Sequence, residues 1–252
     1  MGKQKYRNKG SKDNIIISIA GAHGVGKTTV FNLLKKKIIR NNNKFKFFPE
    51  RYVKKPPFPF GSSDKQIGFR SELHFLQQFI RRNQNITNFD DKYNGRILIL
   101  DRTPYCVLIY SKSLNLKEKD FTLISDTYRS IQWKEDYIFY LYAKPDTIMK
   151  RIIQRGSIER IRKEWNEEDK EYLLTILSYY TQFLSTKKGV FMIDTDKLNT
   201  GEVIDEMKTL ITELSDYSFQ RLSTPPTTQM NMNKFLKLKN DKIYYNKHSN
   251  NN

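Results

Sequence analysis

Short apolar runs alternate with longer segments along most of the chain, and in the longer segments apolar side chains recur every three or four positions. The short runs are rich in β-branched and aromatic residues, which predicts buried strands, whereas the longer segments have the period of amphipathic helices. Apolar strands separated by helices are typical of a parallel sheet with helices on both faces and right-handed crossovers. The five predicted strands comprise residues 14–20, 45–48, 96–100, 137–142 and 190–193.

The helix predictions follow from the same period and from local start signals. Pro145 suits the first turn of a helix, because that turn does not need its missing N–H group. Three prolines in the segment 56–61 deny both helix and ladder hydrogen bonds, so this segment is predicted to form a loop. The predicted helices comprise residues 27–40, 68–88, 104–114, 118–134, 146–155, 167–187 and 202–214. The predicted fold class is therefore α/β.

Both ends of the chain differ in composition from the middle. Residues 1–12 are polar and basic, and residues 218–252 are rich in Ser, Thr, Pro, Asn and Lys, so both segments are predicted to be disordered tails. A single domain is predicted at residues 13–217. The formal net charge is +18, and about half of it lies in the tails. A module that binds nucleic acid through these tails is a distant alternative to an enzyme.

The remaining composition favours a soluble intracellular protein. No apolar run approaches the roughly 20 residues that cross a bilayer, and the basic N-terminal segment lacks the apolar stretch of a secretory signal. The one cysteine, Cys106, lies in an apolar segment, which favours a packed thiol over a disulfide or metal role. We therefore expect a cytoplasmic protein that does not contact membranes.

A glycine-rich segment between the first strand and the first helix carries the strongest chemical signal. It fits the pattern G-x-x-x-x-G-K-[ST], whose backbone N–H groups and helix N-terminus bind phosphate oxygens. Lys27 is expected to reach the β- and γ-phosphates of a nucleotide, and the hydroxyl of Thr28 is expected to bind Mg²⁺. His23 occupies a variable position of the pattern and is given no chemistry of its own. The predicted ATP-binding residues are Gly21, Ala22, His23, Gly24, Val25, Gly26, Lys27, Thr28 and Thr29.

Asp101 closes the third predicted strand and is followed by Arg102. Open α/β sheets bind ligands at the carboxyl ends of their strands, so Asp101 is predicted to help hold Mg²⁺, with a helix cap as the alternative role. Arg102 is suited to an acceptor oxygen or a phosphate. No Asn-Lys-x-Asp sequence follows a later strand, which favours ATP over GTP as the phosphoryl donor.

Several separate motifs within residues 14–215 resemble the deoxynucleoside kinase family, which belongs to a wider group that includes thymidylate kinases. The motifs are the loop 21–28, Pro49-Glu50, Gln78 in a long helix, Asp101-Arg102-Thr103, and the segment 140–146 that leads into an arginine-rich stretch. The resemblance implies a P-loop NTPase fold with an arginine-rich lid. It further implies an ATP-dependent kinase that phosphorylates the 5′-hydroxyl of a nucleoside or deoxynucleoside, and it is compatible with a homodimer.

The resemblance also assigns roles to residues of the acceptor site. Glu50 corresponds to the base that takes the proton of the 5′-hydroxyl. Arg102 would steady the same hydroxyl or the incoming phosphoryl group, and Lys27 completes the predicted catalytic set. Gln78 corresponds to a glutamine that reads the nucleobase, although Gln77 beside it leaves this assignment open.

The arginines of the last motif correspond to a lid that stabilises charge on the transferring phosphoryl group and excludes water. Ser157 stands where the family has a further arginine. Glu159 lies where the family uses a carboxylate near the sugar hydroxyl, and surface pairing with arginines is its alternative role. The predicted lid residues are Arg151, Arg155, Arg160 and Arg162.

A monophosphate acceptor, and dTMP in particular, is the main alternative to a nucleoside. Glu50 is followed by Arg51, where the family usually has proline, and the sequence from Asp101 to Tyr110 is also similar to thymidylate kinases. A nucleotide acceptor demands cationic contacts that a neutral hydroxyl does not. Such contacts would come from Arg51, Arg70, Arg81 and Arg82, which are equally suited to solvent-facing positions.

Overall fold

The computed structural model describes residues 13–38, 43–50, 62–155, 166–215 and 217–219. The tail predicted at residues 1–12, and all but the first two residues of the tail predicted at 218–252, lie outside these ranges, so their disorder stays a prediction. Within the described ranges, no helix is both long enough and apolar enough to cross a bilayer. The other predicted features outside the described residues are the proline-rich loop, Arg51, Ser157, Glu159, Arg160 and Arg162.

Five parallel strands form one sheet, which confirms the predicted fold class. The strands are β1 (Ile15–Ala20), β2 (Phe45–Phe48), β3 (Ile97–Asp101), β4 (Tyr137–Tyr142) and β5 (Val190–Asp194). Their order is β2-β3-β1-β4-β5, so β1 lies in the middle of the sheet. The chain fills one side of β1 with β2 and β3, and then the other side with β4 and β5. This switch of direction leaves a crevice at the carboxyl end of β1, where open α/β sheets bind ligands.

The helices lie close to their predicted positions, although some ends differ. They are α1 (Lys27–Ile38), α2 (Lys65–Lys92), α3 (Tyr105–Ser113), α4 (Glu118–Ser130), α5 (Pro145–Gln154), α6 (Lys170–Leu184) and α7 (Thr200–Leu214). The helix α2 begins before residue 68 because the side chain of Asp64 accepts hydrogen bonds from two N–H groups of its first turn. The helix α6 begins later than residue 167 because the side chain of Asp169 caps it, accepting a hydrogen bond from the N–H of Tyr172. The helix α4 ends before residue 134 because Ile131 already has an extended backbone.

Helices cover both faces of the sheet. Phe47 of β2 contacts Phe31 of α1, with ring centroids 5.5 Å apart, whereas Phe48 contacts Phe89 of α2, at 6.1 Å. Successive residues of a strand point to opposite faces, so α1 and α2 lie on opposite sides of the sheet. The helix α7 packs beside α1, and α3 packs against both α2 and α6. The strands β1 and β3 are consequently buried along their whole length.

Candidate active site

The glycine-rich loop connects β1 to α1, and at two of its glycines both the positive φ and the space available exclude other residues. Gly21 has φ +144°, and a Cβ atom there would lie 2.5 Å from the carbonyl oxygen of Leu141. Gly24 has φ +78°, and a Cβ atom there would lie 2.8 Å from the Cγ2 atom of Ile148. Glycine is therefore required at both positions, because the loop curls tightly against β4 and α5.

Lys27 lies inside this loop rather than on its surface. Its side chain is only 4% exposed, and its Nζ atom donates hydrogen bonds to the carbonyl oxygens of Gly21 (2.8 Å) and Ala22 (2.7 Å). Burial, with a contribution from the nearby Arg102 cation, lowers the pKa of Lys27 to about 7. Thr28 and Thr29, by contrast, are exposed at the start of α1. The loop thus holds one ammonium group at its centre and two hydroxyl groups at its rim.

The register of the sheet brings Glu50 and Arg102 together. Phe48 of β2 lies opposite Leu100 of β3, and Glu50 and Arg102 each follow two residues later. The Nε atom of Arg102 lies 2.9 Å from the Oε1 atom of Glu50. Burial lowers the pKa of Arg102, but the attraction of the nearby Glu50 carboxylate is the main effect in the opposite direction, and the pKa of Arg102 is raised overall. Two of the predicted catalytic residues therefore form a largely buried ion pair, with the side chain of Arg102 18% exposed.

The backbone at Arg102 has φ +67°, a conformation that costs a non-glycine residue about 1–2 kcal/mol. Arg82 of α2 supports this turn from below. Its guanidinium donates hydrogen bonds to the carbonyl oxygens of Arg102, at 2.7 Å, and of Asp101. Its guanidinium carbon also lies 4.7 Å from the centre of the Phe79 ring. Arg82 therefore fixes the direction in which the side chain of Arg102 leaves the sheet.

The burial of Arg82 corrects one expectation from the sequence. Arg82 was considered with Arg70 and Arg81 as a contact for an acceptor phosphate, or as a solvent-facing residue. It is neither, because its side chain is 1% exposed and its donors serve backbone carbonyls. Arg70 and Arg81 are exposed on α2. The sequence pattern did not distinguish the three arginines, since only the packing of α2 determines which one faces inward.

A small cavity of about 20 Å³ lies beside the Glu50–Arg102 pair. The side chains of Phe75, Phe79 and Val107 form part of its apolar wall, and Glu72 joins Glu50 and Arg102 on its polar wall. Glu72 is 3% exposed, and burial raises its pKa to about 8, with the carboxylate of Glu50 acting in the same direction. Glu72 is therefore largely protonated at neutral pH.

The sequence analysis did not identify Glu72, although a signal for it exists. Glu72, Phe75 and Phe79 follow one another at spacings of three and four residues, so they share one face of α2. A carboxylate in an otherwise apolar stripe is unusual, because an unpaired buried charge is costly. Such a residue is a candidate for a functional site.

Gln78 lies inside the protein, whereas Gln77 is exposed. The Oε1 atom of Gln78 is buried and accepts no hydrogen bond within the described ranges. This burial favours Gln78 over Gln77 as the glutamine that contacts a bound molecule. Its role in reading a base stays a prediction.

Asp101 ends β3 with its side chain buried at the carboxyl edge of the sheet. Its Oδ1 atom has no hydrogen-bond partner among the described residues. Burial raises the pKa of Asp101, and the carboxylate of Glu50 adds to this rise. The missing hydrogen bond and the raised pKa both indicate that a bound cation would stabilise the carboxylate of Asp101.

A second, larger cavity of about 350 Å³ is lined in part by Gly24, Val25 and Gly26 of the glycine-rich loop. Arg151 and Arg155 of the predicted lid line it, together with Thr195, which the sequence did not indicate. The Nη1 atom of Arg151 donates to the hydroxyl of Thr195 at 2.9 Å, and its Nη2 atom donates to the backbone carbonyl of the same residue. Arg151 therefore ties α5 to the turn after β5, while Arg155 is exposed. The cavity is large enough for a nucleotide-sized ligand.

A parallel sheet with this strand order, a glycine-rich loop around a lysine and a carboxylate at the end of the neighbouring strand define a P-loop phosphotransferase. The sequence model of the deoxynucleoside kinase family matches residues 17–216, and the chain belongs to that family. The fold and the match to the family model confirm the resemblance that the sequence motifs indicate.

Solved structures with the same fold include two kinds of kinase. Deoxyadenosine kinase from M. mycoides with bound dATP superimposes with a TM-score of 0.59 and 20% identity, covering 79% of this chain and 100% of that one. The same enzyme with the products dCMP and dCDP gives a TM-score of 0.60 at the same identity and coverage. Thymidylate kinase from Candida albicans gives 0.60 with 16% identity, covering 80% of this chain and 92% of that one. No curated protein sequence matches this chain.

Replacement of Arg82 tests its support of the Asp101–Arg102 turn. We expect Arg82→Met to lower the free energy of unfolding by about 3 kcal/mol, because two buried carbonyl groups lose their donor. Arg81→Met is the matched control, since Arg81 is exposed on the same helix, and it should change stability by less than about 0.5 kcal/mol. Urea denaturation measures both. Equal effects of the two substitutions would contradict the role of Arg82.

The pKa of Glu72 predicts a pH dependence of stability. An unfolded glutamate has a pKa of about 4.3, against about 8 in the folded protein. Between these values the folded protein holds a proton that the unfolded chain has released, so the free energy of unfolding falls as the pH rises through this range. Glu72→Gln should remove this component in urea denaturation at several pH values, whereas Glu171→Gln, at an exposed position, should retain it. A Glu72→Gln profile that parallels the parent protein would contradict the assignment.

Proposed function

We propose that the protein transfers the γ-phosphoryl group of ATP to the 5′-hydroxyl of a nucleoside or deoxynucleoside. The observation that carries this proposal is the buried pair of Glu50 and Arg102, which stands beside the loop that holds Lys27. A carboxylate next to a phosphate-binding loop has the chemistry to take the proton of a hydroxyl as the phosphoryl group is transferred. Membership in the deoxynucleoside kinase family supports the same reaction.

Glu50 is proposed as the general base and Arg102 as the residue that holds the acceptor oxygen and the incoming phosphoryl group. Arg102 lies between Glu50 and Lys27, because it pairs with Glu50 and its charge also lowers the pKa of Lys27. A guanidinium group donates in several directions at once, so it is able to contact both a carboxylate and a phosphoryl oxygen. Charge that develops on the transferred group would be stabilised without a large rearrangement.

The donor is proposed to bind along residues 21–29, with the backbone N–H groups around its phosphates and Lys27 beside the β- and γ-phosphates. Lys27 would then exchange the carbonyl groups of Gly21 and Ala22 for phosphate oxygens. The larger cavity beside Thr195 would take the remainder of the nucleotide.

Thr28 and Asp101 are suited to a Mg²⁺ ion that accompanies ATP. Thr28 is exposed at the start of α1, and Asp101 has a buried carboxylate oxygen without a partner in the described part of the chain. Mg²⁺ in kinases binds one or two protein oxygens together with phosphate oxygens and water, which agrees with this small set. The ion would neutralise charge on the β- and γ-phosphates.

The other predicted contacts remain proposals of the same kind. Gln78 would read the nucleobase, and its burial supports this role. Arg151 and Arg155 would stabilise phosphate charge from the side of α5, although Arg151 would first have to share its bonds to Thr195. The same roles are proposed for Arg160 and Arg162 in the lid and for Glu159 near the sugar, as the family resemblance implies.

Charges around the smaller cavity favour a nucleoside over a monophosphate acceptor. Its wall contains the carboxyl groups of Glu50 and Glu72, and the charge of Arg102 is balanced by Glu50. A phosphate placed there would meet the carboxylate of Glu50 and the neutral carboxyl of Glu72, and the nearest cation, Arg102, is already paired with Glu50, which is costly in a buried site. Thymidylate kinase activity on dTMP is the second candidate, because a thymidylate kinase shares the fold and Arg51 follows Glu50.

An acceptor panel tests the proposed function. Purified protein is incubated with Mg·ATP and a set of nucleosides, deoxynucleosides and their monophosphates, and the products are separated by chromatography. We expect phosphorylated product from nucleosides. Product only from monophosphates would replace this proposal with the thymidylate kinase reading, and ADP without any phosphorylated acceptor would contradict both.

Lys27→Met and Lys36→Met are the matched variants for this panel. The first removes the buried ammonium group of the loop and should abolish product, while the second lies at an exposed position of α1 and should not. Because Lys27 is buried, circular dichroism and a melting curve are needed to show that the first variant is folded. Full turnover by folded Lys27→Met would refute the donor site.

Glu50→Gln separates general-base catalysis from binding. The amide keeps an oxygen that accepts from Arg102 but cannot take a proton, so kcat should fall roughly 10²-fold or more while KM for ATP stays the same. Steady-state kinetics with the best nucleoside of the panel provide the measurement. A kcat within a few-fold of the parent enzyme would assign the proton transfer to another group.

A further inference from the structure

Three acceptors from two other parts of the chain hold the guanidinium group of Arg151. Its Nη1 atom donates to the hydroxyl oxygen of Thr195 at 2.9 Å and, at the longer distance of 3.4 Å, to the carbonyl oxygen of Val25. Its Nη2 atom donates to the backbone carbonyl of Thr195. Val25 belongs to the glycine-rich loop, Thr195 follows β5, and all three residues line the larger cavity. One guanidinium group therefore connects three elements at the wall of this cavity.

The hydroxyl group of Thr195 is itself fixed in direction. Thr195 is 5% exposed, and its Oγ1 atom donates to the carbonyl oxygen of Tyr142 at 3.0 Å. Its backbone N–H donates to the same carbonyl oxygen at 2.9 Å. A hydroxyl group has a single hydrogen, so once this hydrogen is given to Tyr142 the oxygen is left as an acceptor for Arg151. Thr195 therefore has no hydroxyl hydrogen left for a ligand, and it influences the cavity through Arg151.

The packing of α5 fixes the other end of the Arg151 side chain. Ile148 and Ile152 are fully buried, and a Cβ atom at Gly24 would lie 2.8 Å from a side-chain carbon of each. Ile148 and Arg151 are three residues apart on the helix, so they lie on the same side of α5. The helix thus packs directly on the glycine-rich loop, and both the backbone and the guanidinium group of Arg151 have a defined position beside it.

The charge of Arg151 is held by neutral groups, although two carboxylates lie nearby in the sequence. Asp194 pairs with Lys197 at 3.2 Å, and Asp196 accepts a hydrogen bond from the backbone N–H of Lys144 at 2.7 Å. Within the described ranges Arg151 forms no ion pair, and its three hydrogen bonds use three of its five N–H groups. A fixed cation with two remaining donors is suited to a phosphate oxygen.

We propose that Thr195 is a positioning residue for the phosphoryl donor, because its hydroxyl group holds Arg151 where the remaining N–H groups meet a nucleotide in the larger cavity. This inference rests on the proposed kinase function and concerns its donor site. The sequence assigned Arg151 to a lid, whereas here Arg151 is a preorganised part of the cavity wall. A side chain that is already fixed loses less conformational freedom when the ligand binds, so the Thr195 contact should increase donor affinity.

The test measures the affinity for Mg²⁺ and the non-hydrolysable ATP analogue AMP-PNP by calorimetry, without any acceptor. Thr195→Val removes the hydroxyl group at nearly constant volume, and we expect the Kd to rise roughly tenfold. Thr195→Ser keeps the hydroxyl group and should restore the Kd to within about twofold of the parent value. In steady-state kinetics Thr195→Val should raise KM for ATP and leave KM for the nucleoside unchanged.

Thr181→Val is the matched control for the loss of a threonine hydroxyl. Thr181 is exposed on α6, and its hydroxyl donates to the carbonyl oxygen of Leu177 at 3.1 Å. It does not line the larger cavity, so the Kd for the analogue should not change.

A double-mutant cycle with Arg151→Met separates positioning from a general structural role. If Thr195 acts through Arg151, Thr195→Val should raise the Kd in the parent protein but not in Arg151→Met. Effects that multiply in the double variant would overturn the proposal, and so would a parent-like Kd for Thr195→Val. Melting curves establish that each variant is folded, and Thr195→Ala takes the place of Thr195→Val in the cycle if the latter does not fold.

The two proposals fail in different ways. If the parent protein binds the analogue and phosphorylates nucleosides while Thr195→Val binds equally well, this inference fails and the proposed function stands. If the folded parent protein binds no analogue, both fail.

Discussion

The contact between the buried guanidinium of Arg82 and the backbone after β3 is the constraint on which the acceptor side of the site depends. A buried cation is stable only when its donors are used, and here they hold a turn that Arg102 would not otherwise adopt. The turn directs Arg102 toward Glu50, and the same helix carries Glu72 and Gln78. One helix, α2, therefore sets both the direction of the central cation and the composition of the wall that faces it.

Charge is divided unevenly across the site despite the strongly basic chain. The side proposed for the donor has backbone N–H groups and the ammonium of Lys27, which suit phosphate. The side proposed for the acceptor has the carboxyl groups of Glu50 and Glu72, and Arg102 lies between the two sides. The net charge of +18 is therefore a poor guide to the site, because interactions at contact distance outweigh screened charges in the tails.

The sequence was sufficient for features that depend on local patterns. Strands appear as short apolar runs, and the loop around Lys27 is a motif of consecutive residues, so the positions of both were predicted correctly. Glu72 and Thr195 were missed, and Arg82 was given the wrong role, because their importance comes from contacts between distant segments. Arg82 meets a turn 20 residues away, and Arg151 meets Thr195 across 44 residues. The helical spacing predicts that α2 has a buried face, but it does not predict which charged residues of α2 lie on that face.

Four unused polar atoms belong to α2, the end of β3, α6 and the glycine-rich loop. The structure leaves His23 Nε2, Gln78 Oε1, Asp101 Oδ1 and the hydroxyl of Tyr172 without partners among its described residues. Each lowers the stability of the unliganded protein, and each would be satisfied by a different part of a bound metal, sugar or base. A ligand that binds only the folded state stabilises it in proportion to the logarithm of its concentration over its Kd. These atoms therefore lower the stability of the free protein, and a ligand that satisfied them would restore it on binding.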